Sequence, residues 1–257
     1  MTEGMSFGDL LWTARQLAGR CRGARGRACQ SLNAWRCFWA SYRQMLELSP
    51  PDRRPHRANL QPIFGDDSGE TWVEPVYFYQ DSWAFERIVG RRPDRHVDVG
   101  SQHKFVALLS KVVPVTMVDI RPLTVTLDTL AFVEGSIVAL PFEDASVPSV
   151  SSLCVVEHIG LGRYGDPLDP FGTEKALEEL KRVVRPGGDL YVSVPIADQT
   201  RVHFNAHRAF REDYLVQLFA PFEIVQRRYI YGTEFVDTAR GGDGVGCYHL
   251  RRGEEAG

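Results

Sequence analysis

Apolar positions along the chain follow two different periods. From Leu32 they fall at Leu32, Trp35, Phe38, Trp39, Tyr42, Met45 and Leu46, the spacing of an amphipathic helix, and Pro50-Pro51 ends the run. Residues 50–75, rich in Pro, Asp and Gly, read as a loop region. From Glu74 onward helical and strand-like patterns alternate. The pattern predicts a helix over Asp81–Val89, a strand at His96–Val99, a helix at Lys104–Val112, a strand at Val115–Ile120 and a short strand near Gly135–Ala139. A strand at Ser151–Val156, a helix at Thr173–Val184 and a strand at Leu190–Pro195 follow. Strands alternating with helices imply parallel pairing through right-handed crossovers, hence a doubly wound α/β sheet. The last third departs from this: after a helix at Glu212–Phe219, the runs Glu223–Tyr231 and Gly246–Arg251 have no helix between them, which predicts an antiparallel hairpin at the sheet edge.

Composition narrows the class. The chain has 257 residues, 44% hydrophobic and 25% charged, enough for one α/β domain with additions. The formal net charge of −3 leaves no overall footprint for nucleic acid, and no nucleic-acid partner is expected. Charge is uneven: residues 1–60 carry ten arginines against Glu3, Asp9, Glu47 and Asp52, a net of +6, which leaves −9 for the remainder. The stretch GRCRGARGR, residues 19–27, reads as a solvated basic linker, or as a contact with an anionic membrane surface or a protein partner. The two domains expected are a basic helical arm and linker over 1–60 and an α/β domain over 76–251. Five cysteines without a CxxC pair suggest neither a disulfide framework nor a zinc ribbon, and a reducing, cytoplasmic compartment is expected. No apolar run approaches the ~18 residues of a membrane span.

In a doubly wound sheet, ligands gather at the carboxyl ends of the strands. After the first strand stands Gly100, a turn where the backbone approaches a ligand and the following helix offers free N–H groups; the plain reading is a helix-entry turn. After the second stands Asp119, 21 residues beyond Asp98, the spacing at which an acid meets a ribose diol; a surface loop residue is the alternative. Gly135-Ser136 and Glu157-His158 occupy the corresponding places after the next two strands. His158 is either a general base for a substrate hydroxyl or a histidine that orders its loop. The loop 160–172, with Arg163, Tyr164 and Asp166, is either a cover over the site that binds the acceptor or a plain connection. His203 and His207, four apart, would share a helix face and raise a metal site with Glu157 or Asp166, although no strong ligand spacing such as HExxH is present.

Together with VVRPGGDLYVSVP at 183–195, these features resemble class I S-adenosylmethionine-dependent methyltransferases over roughly residues 76–251. More narrowly, HVDVGSQHKF, VTMVDIRPL, EHIGLGRYGDPLDPFGTEKA and HFNAHRAF resemble an uncharacterised methyltransferase-like family, domain of unknown function 268, associated with bacterial polysaccharide loci. The resemblance implies a Rossmann-like sheet of seven strands with the last antiparallel, and S-adenosyl-L-methionine as cofactor. It implies O-methylation of a glycan or small-molecule acceptor. Asp98 and Gly100 stand where the superfamily holds the methionine part, Asp119 where it holds the ribose, and Ser136 and Ile137 beside the adenine. The candidate cofactor contacts are therefore Asp98, Gly100, Ser101, Asp119, Ser136, Ile137 and Glu157, the candidate catalytic residues are His158, Arg163 and His207, and no metal set is assigned. Gln102 and Ser136 depart from the common pattern, which has glycine and aspartate there. A nicotinamide-dependent oxidoreductase is disfavoured because the GxGxxG fingerprint is missing; a non-catalytic Rossmann-like binding module is the rival from another class.

Overall fold

The computed structural model describes residues 34–64, 66 and 69–254, so Leu32 and the arginine-rich stretch 19–27 lie outside the described residues. The chain divides into two compact units, Met1–Trp72 and Val73–Gly257. In the first, helix α1 runs over 34–48, as its aromatic spacing predicts. Trp35 and Phe38 pack on Phe64 at ring-centre distances of 5.0 and 6.1 Å, and Tyr42 donates to the Pro55 carbonyl at 3.3 Å. Among the described residues no helix is long and apolar enough to cross a membrane.

The second unit opens with α2 (Pro75–Arg91), six residues earlier than the pattern implies, because Glu74 caps the Tyr77 N–H and Pro75 fits the first helical position. The order then runs β1 (His96–Val99), α3 (His103–Leu109), β2 (Val115–Asp119), β3 (Leu130–Glu134), β4 (Val147–Leu153), α4 (Gly172–Val183) and β5 (Val184–Ile196). It closes with β6 (Arg201–His203), β7 (His207–Ala209), α5 (Glu212–Phe219), β8 (Glu223–Tyr231), β9 (Glu234–Val236) and β10 (Gly244–Arg251). The main sheet has the order β3-β2-β1-β4-β5-β10-β8-β9. Strands β1 to β5 pair in parallel, and β10 is antiparallel to both β5 and β8. This is the doubly wound sheet with a reversed last strand. The short β9 adds an eighth strand, and β10 lies inside the sheet rather than at its edge.

Alternation along each strand sends side chains to two helical layers. Val97 and Val99 pack with Leu177 and Leu180 of α4 and Leu215 and Phe219 of α5, while Val115, Met117 and Leu153 pack with Trp83 and Ile88 of α2 and Phe105 and Leu109 of α3. Burial of each such side chain is worth about 1.5–3 kcal/mol. The α2 side also carries a polar ladder: Ser149 and Ser151 bind the two ring nitrogens of His96 at 2.7 and 2.9 Å, and Ser151 donates to Asp98. Burial holds the His96 ring neutral, pushed down to about 3.

Three predicted elements are corrected. The third strand is Leu130–Glu134, in register with Val115–Asp119, whereas Gly135–Ala139 forms a tight turn closed by Ala139 N–H on the Ser136 carbonyl. Both runs are apolar, and only pairing to β2 separates them. The fourth strand is Val147–Leu153 and stops before Val156 because Cys154 adopts φ +52° and a short 3-10 turn, Val156–His158, begins. His203 and His207 do not share a helix: they face each other across the β6–β7 hairpin, rings 4.7 Å apart, with Asn205 at φ +58° in its turn.

Candidate functional site

The ends of β1, β2, β3 and β4 open onto one cavity of about 190 Å³, whose wall includes Gly100, Asp119, Ser136, Ile137 and His158. Five of the ten residues singled out by sequence therefore meet in one place. Gly100 takes φ +72°, where a Cβ would come within 3.0 Å of Val155 Cγ1, so the turn passes close under the cavity only as glycine. Asp119 ends β2 with its side chain 14% exposed; its Oδ1 accepts from Arg121 N–H at 2.8 Å, which fixes the carboxylate at the rim. Val99, Val118, Ile137 and Val138 supply an apolar wall beside it.

Asp98, Ser101 and Glu157 do not line this cavity; they are buried behind it. Asp98 accepts from the Ser101 N–H at 3.0 Å, and Ser101 Oγ accepts from Leu153 N–H at 3.0 Å, so both residues shape the turn that carries Gly100. Burial pushes Asp98 up to about 6 although Ser101 and Ser151 bind it. Two of the N–H groups expected to be free at the start of α3 are taken: Gln102 Oε1 accepts from Lys104 and Phe105 at 2.6 and 3.3 Å. Where the common pattern has glycine, this chain has a helix cap.

The loop 160–172 forms one side of the cavity through Tyr164, Asp166 and Asp169. It is built to a fixed shape. Gly160 takes φ +81°, where a Cβ would fall 2.1 Å from the Asp169 carbonyl; Asp166 accepts from Gly160 N–H at 2.5 Å and from Tyr164 N–H at 3.3 Å. Arg208 of β7, buried, donates to the Ile159 and Asp169 carbonyls at 2.5 and 2.9 Å and staples both ends of the loop. The Tyr164 ring meets His158 edge-on at 5.8 Å and lies under the guanidinium of Arg121 at 4.5 Å. Arg121 and Arg208 carried no signal in the sequence, since their roles depend on partners distant along the chain.

His158 Nδ1 lies 2.5 Å from the Ala206 carbonyl in the β6–β7 turn, and a carbonyl only accepts. Nδ1 therefore carries the hydrogen and Nε2 keeps the lone pair. Burial lowers the ring's proton affinity, the Ala206 bond raises it in part, and Arg163 lowers it further. Arg163 does not line the cavity but donates to Ala206 O at 3.1 Å. His207 also lies off the cavity, opposite His203. Among the described residues no group of three or more His, Cys, Asp or Glu side chains is placed to hold a metal ion.

The arrangement offers a rim carboxylate, an apolar slot, a glycine turn and an unprotonated imidazole nitrogen. These suit a nucleoside with a vicinal diol and, next to it, a group that gives up a proton.

A family model described as "Caenorhabditis protein of unknown function, DUF268" matches residues 143–235. No curated protein matches the chain. The N-methyltransferase NodS from Bradyrhizobium japonicum, solved with S-adenosyl-L-homocysteine, is 15% identical with TM-score 0.53, over 84% of this chain and 98% of its own. The 1,6-didemethyltoxoflavin-N1-methyltransferase of Burkholderia thailandensis, solved with 1,6-didemethyltoxoflavin and S-adenosylhomocysteine, is 20% identical with TM-score 0.50, over 71% of this chain and 81% of its own. The second unit has the class I S-adenosylmethionine-dependent methyltransferase fold.

Proposed function

We propose that this chain is an S-adenosyl-L-methionine-dependent methyltransferase that acts on a hydroxyl of a glycan or small-molecule acceptor. One observation carries the reading: Gly100, Asp119 and His158, whose Nδ1 is committed to Ala206, line a single cavity at the carboxyl ends of the strands. The donor set fits the cofactor. Asp119 would accept from the ribose hydroxyls, the Val118–Ile137 wall would cover the adenine, and the Gly100 turn leaves room for the methionine part. When bound, the cofactor supplies an electrophilic methyl group. The chain's own work is to position the acceptor and to take its proton at His158 Nε2. The glycan rests on the likeness of motifs such as EHIGLGRYGDPLDPFGTEKA to the polysaccharide-associated family. Free thiols at Cys37, Cys154 and Cys247 support a cytoplasmic setting. The arginine-rich residues 1–50 we assign to peripheral contact with a membrane surface or a protein partner, outside the reaction.

Asp119→Ala is expected to weaken S-adenosylhomocysteine binding by about 1.5–3 kcal/mol, the scale of a lost charged acceptor, or roughly 10- to 150-fold. Calorimetry checks it, and unchanged affinity removes Asp119 from the site. Mass spectrometry of ligand retained on purification separates the rival: a nicotinamide nucleotide would point to an oxidoreductase.

A further inference from the structure

Directly behind His158, Glu157 is 2% exposed, and its Oε2 has no hydrogen-bond partner among the described residues. Its Oε1 lies 3.8 Å from His158 Nε2, the nitrogen left with a lone pair once Nδ1 is committed to Ala206. The ionisable groups around the carboxyl are Cys154 just after β4, Tyr77 from α2 and Arg163 from the loop 160–172. Around His158 they are Arg163, His207 and Asp166. Cys154 and Tyr77 are both pushed up by burial and stay neutral; the Glu157 backbone N–H, the Cys154 side chain and, least of the three, Arg163 give the charged form of Glu157 some support. Burial outweighs them and pushes Glu157 up to about 8. An orphaned carboxyl oxygen buried beside His158 costs stability, and a simple packing role would be filled better by an apolar side chain such as leucine.

We propose that Glu157 is a positioning residue for His158: the two side chains titrate as one pair, and the carboxylate form of Glu157 strengthens Nε2 as the base. The catalytic meaning rests on the function proposed above, whereas the pairing is a property of the chain without ligand. At neutral pH the pair holds its shared proton on Glu157, with the imidazole neutral. As pH rises Glu157 releases that proton to solvent, and the carboxylate left beside Nε2 raises its proton affinity. The acceptor O–H bond then breaks with its electron pair left on oxygen, an N–H bond forms at Nε2, and the imidazolium charge is balanced by Glu157.

The test is a pH titration by NMR of the ligand-free full chain, with 13C in the glutamate carboxyls and 15N in the imidazoles. The Glu157 carboxyl is expected to titrate far above the ordinary ~4.3 of glutamate. The His158 nitrogens should record a second step at the same pH, and that step should vanish in Glu157→Gln. If Glu157→Gln does not fold, wild-type protein still decides, because the two steps either coincide or do not. Glu157 titrating in the ordinary carboxylate range, or a His158 curve unchanged in Glu157→Gln, overturns the pairing. Calorimetry with S-adenosylhomocysteine is read separately: binding without coupling removes the pair and spares the methyltransferase reading, and coupling without binding does the reverse.

Discussion

His158→Ala is expected to lower turnover by about 10²–10⁴-fold, the usual contribution of a positioned general base, while leaving S-adenosylhomocysteine affinity within a few fold. The split follows from topology. Gly100, Asp119 and Ser136 come from the ends of β1, β2 and β3, whereas His158 follows β4 and meets the cavity from the other side. Burial holds the ring below its ordinary value, so the neutral, proton-accepting form is present at neutral pH. The rate should then fall as pH drops through that lowered value, on a limb below the ordinary ~6.5, and the variant should lack the limb. A histidine that only orders its loop, through the bond to Ala206, would lose thermal stability and ligand affinity together. Full activity in the variant contradicts the assignment.

Asp189→Ala is expected to cost about 3 kcal/mol of stability, near the low end for breaking a buried ion pair, because both arginines keep access to water. Asp189 lies within β5, 4% exposed. It accepts from His249 Nε2 at 2.8 Å and from Arg91 and Arg251, each at 2.9 Å, which ties the last turn of α2 to β5 and β10. Burial alone would raise the carboxyl; His249, Arg91 and Arg251 override it and hold it at about 2. A carboxyl depressed in the folded state stabilises above its unfolded value and loses that contribution as pH falls. The wild-type melting temperature should therefore drop between about pH 4 and 2, and the variant should lose most of this acid dependence. At neutral pH the variant should melt roughly 6–12 °C lower. Equal melting curves for the two proteins would contradict the account.

Local signals were legible wherever one neighbour decides the outcome. Helix α5 and strands β1 and β8 lie where their periodicity puts them, since α5 repeats its apolar face up to Pro221 and β1 is a four-residue run buried on both faces. The carboxyl-end rule found Gly100, Asp119, Ser136 and His158, because strand ends are visible as the points where apolar runs stop. Pairing is what stayed hidden. The runs 130–134 and 135–139 are both largely apolar, and register with β2 decides between them. The spacing of His203 and His207 fits a helix turn as well as a hairpin, and the docking of Phe210 on Pro195 and Ala197 selects the hairpin. That hairpin brings Ala206 to His158 and Arg208 to the 160–172 loop, contacts that span 48 and 39 to 49 residues of chain. Asp98, Ser101 and Glu157 were found by position, yet their side chains turn inward behind the cavity.

Isothermal titration of the wild-type chain with S-adenosylhomocysteine tests the central claim most directly. The account predicts saturable one-to-one binding that Asp119→Ala weakens and His158→Ala leaves nearly intact. No heat of binding to folded protein at millimolar ligand would contradict it and favour a Rossmann-like module without a cofactor.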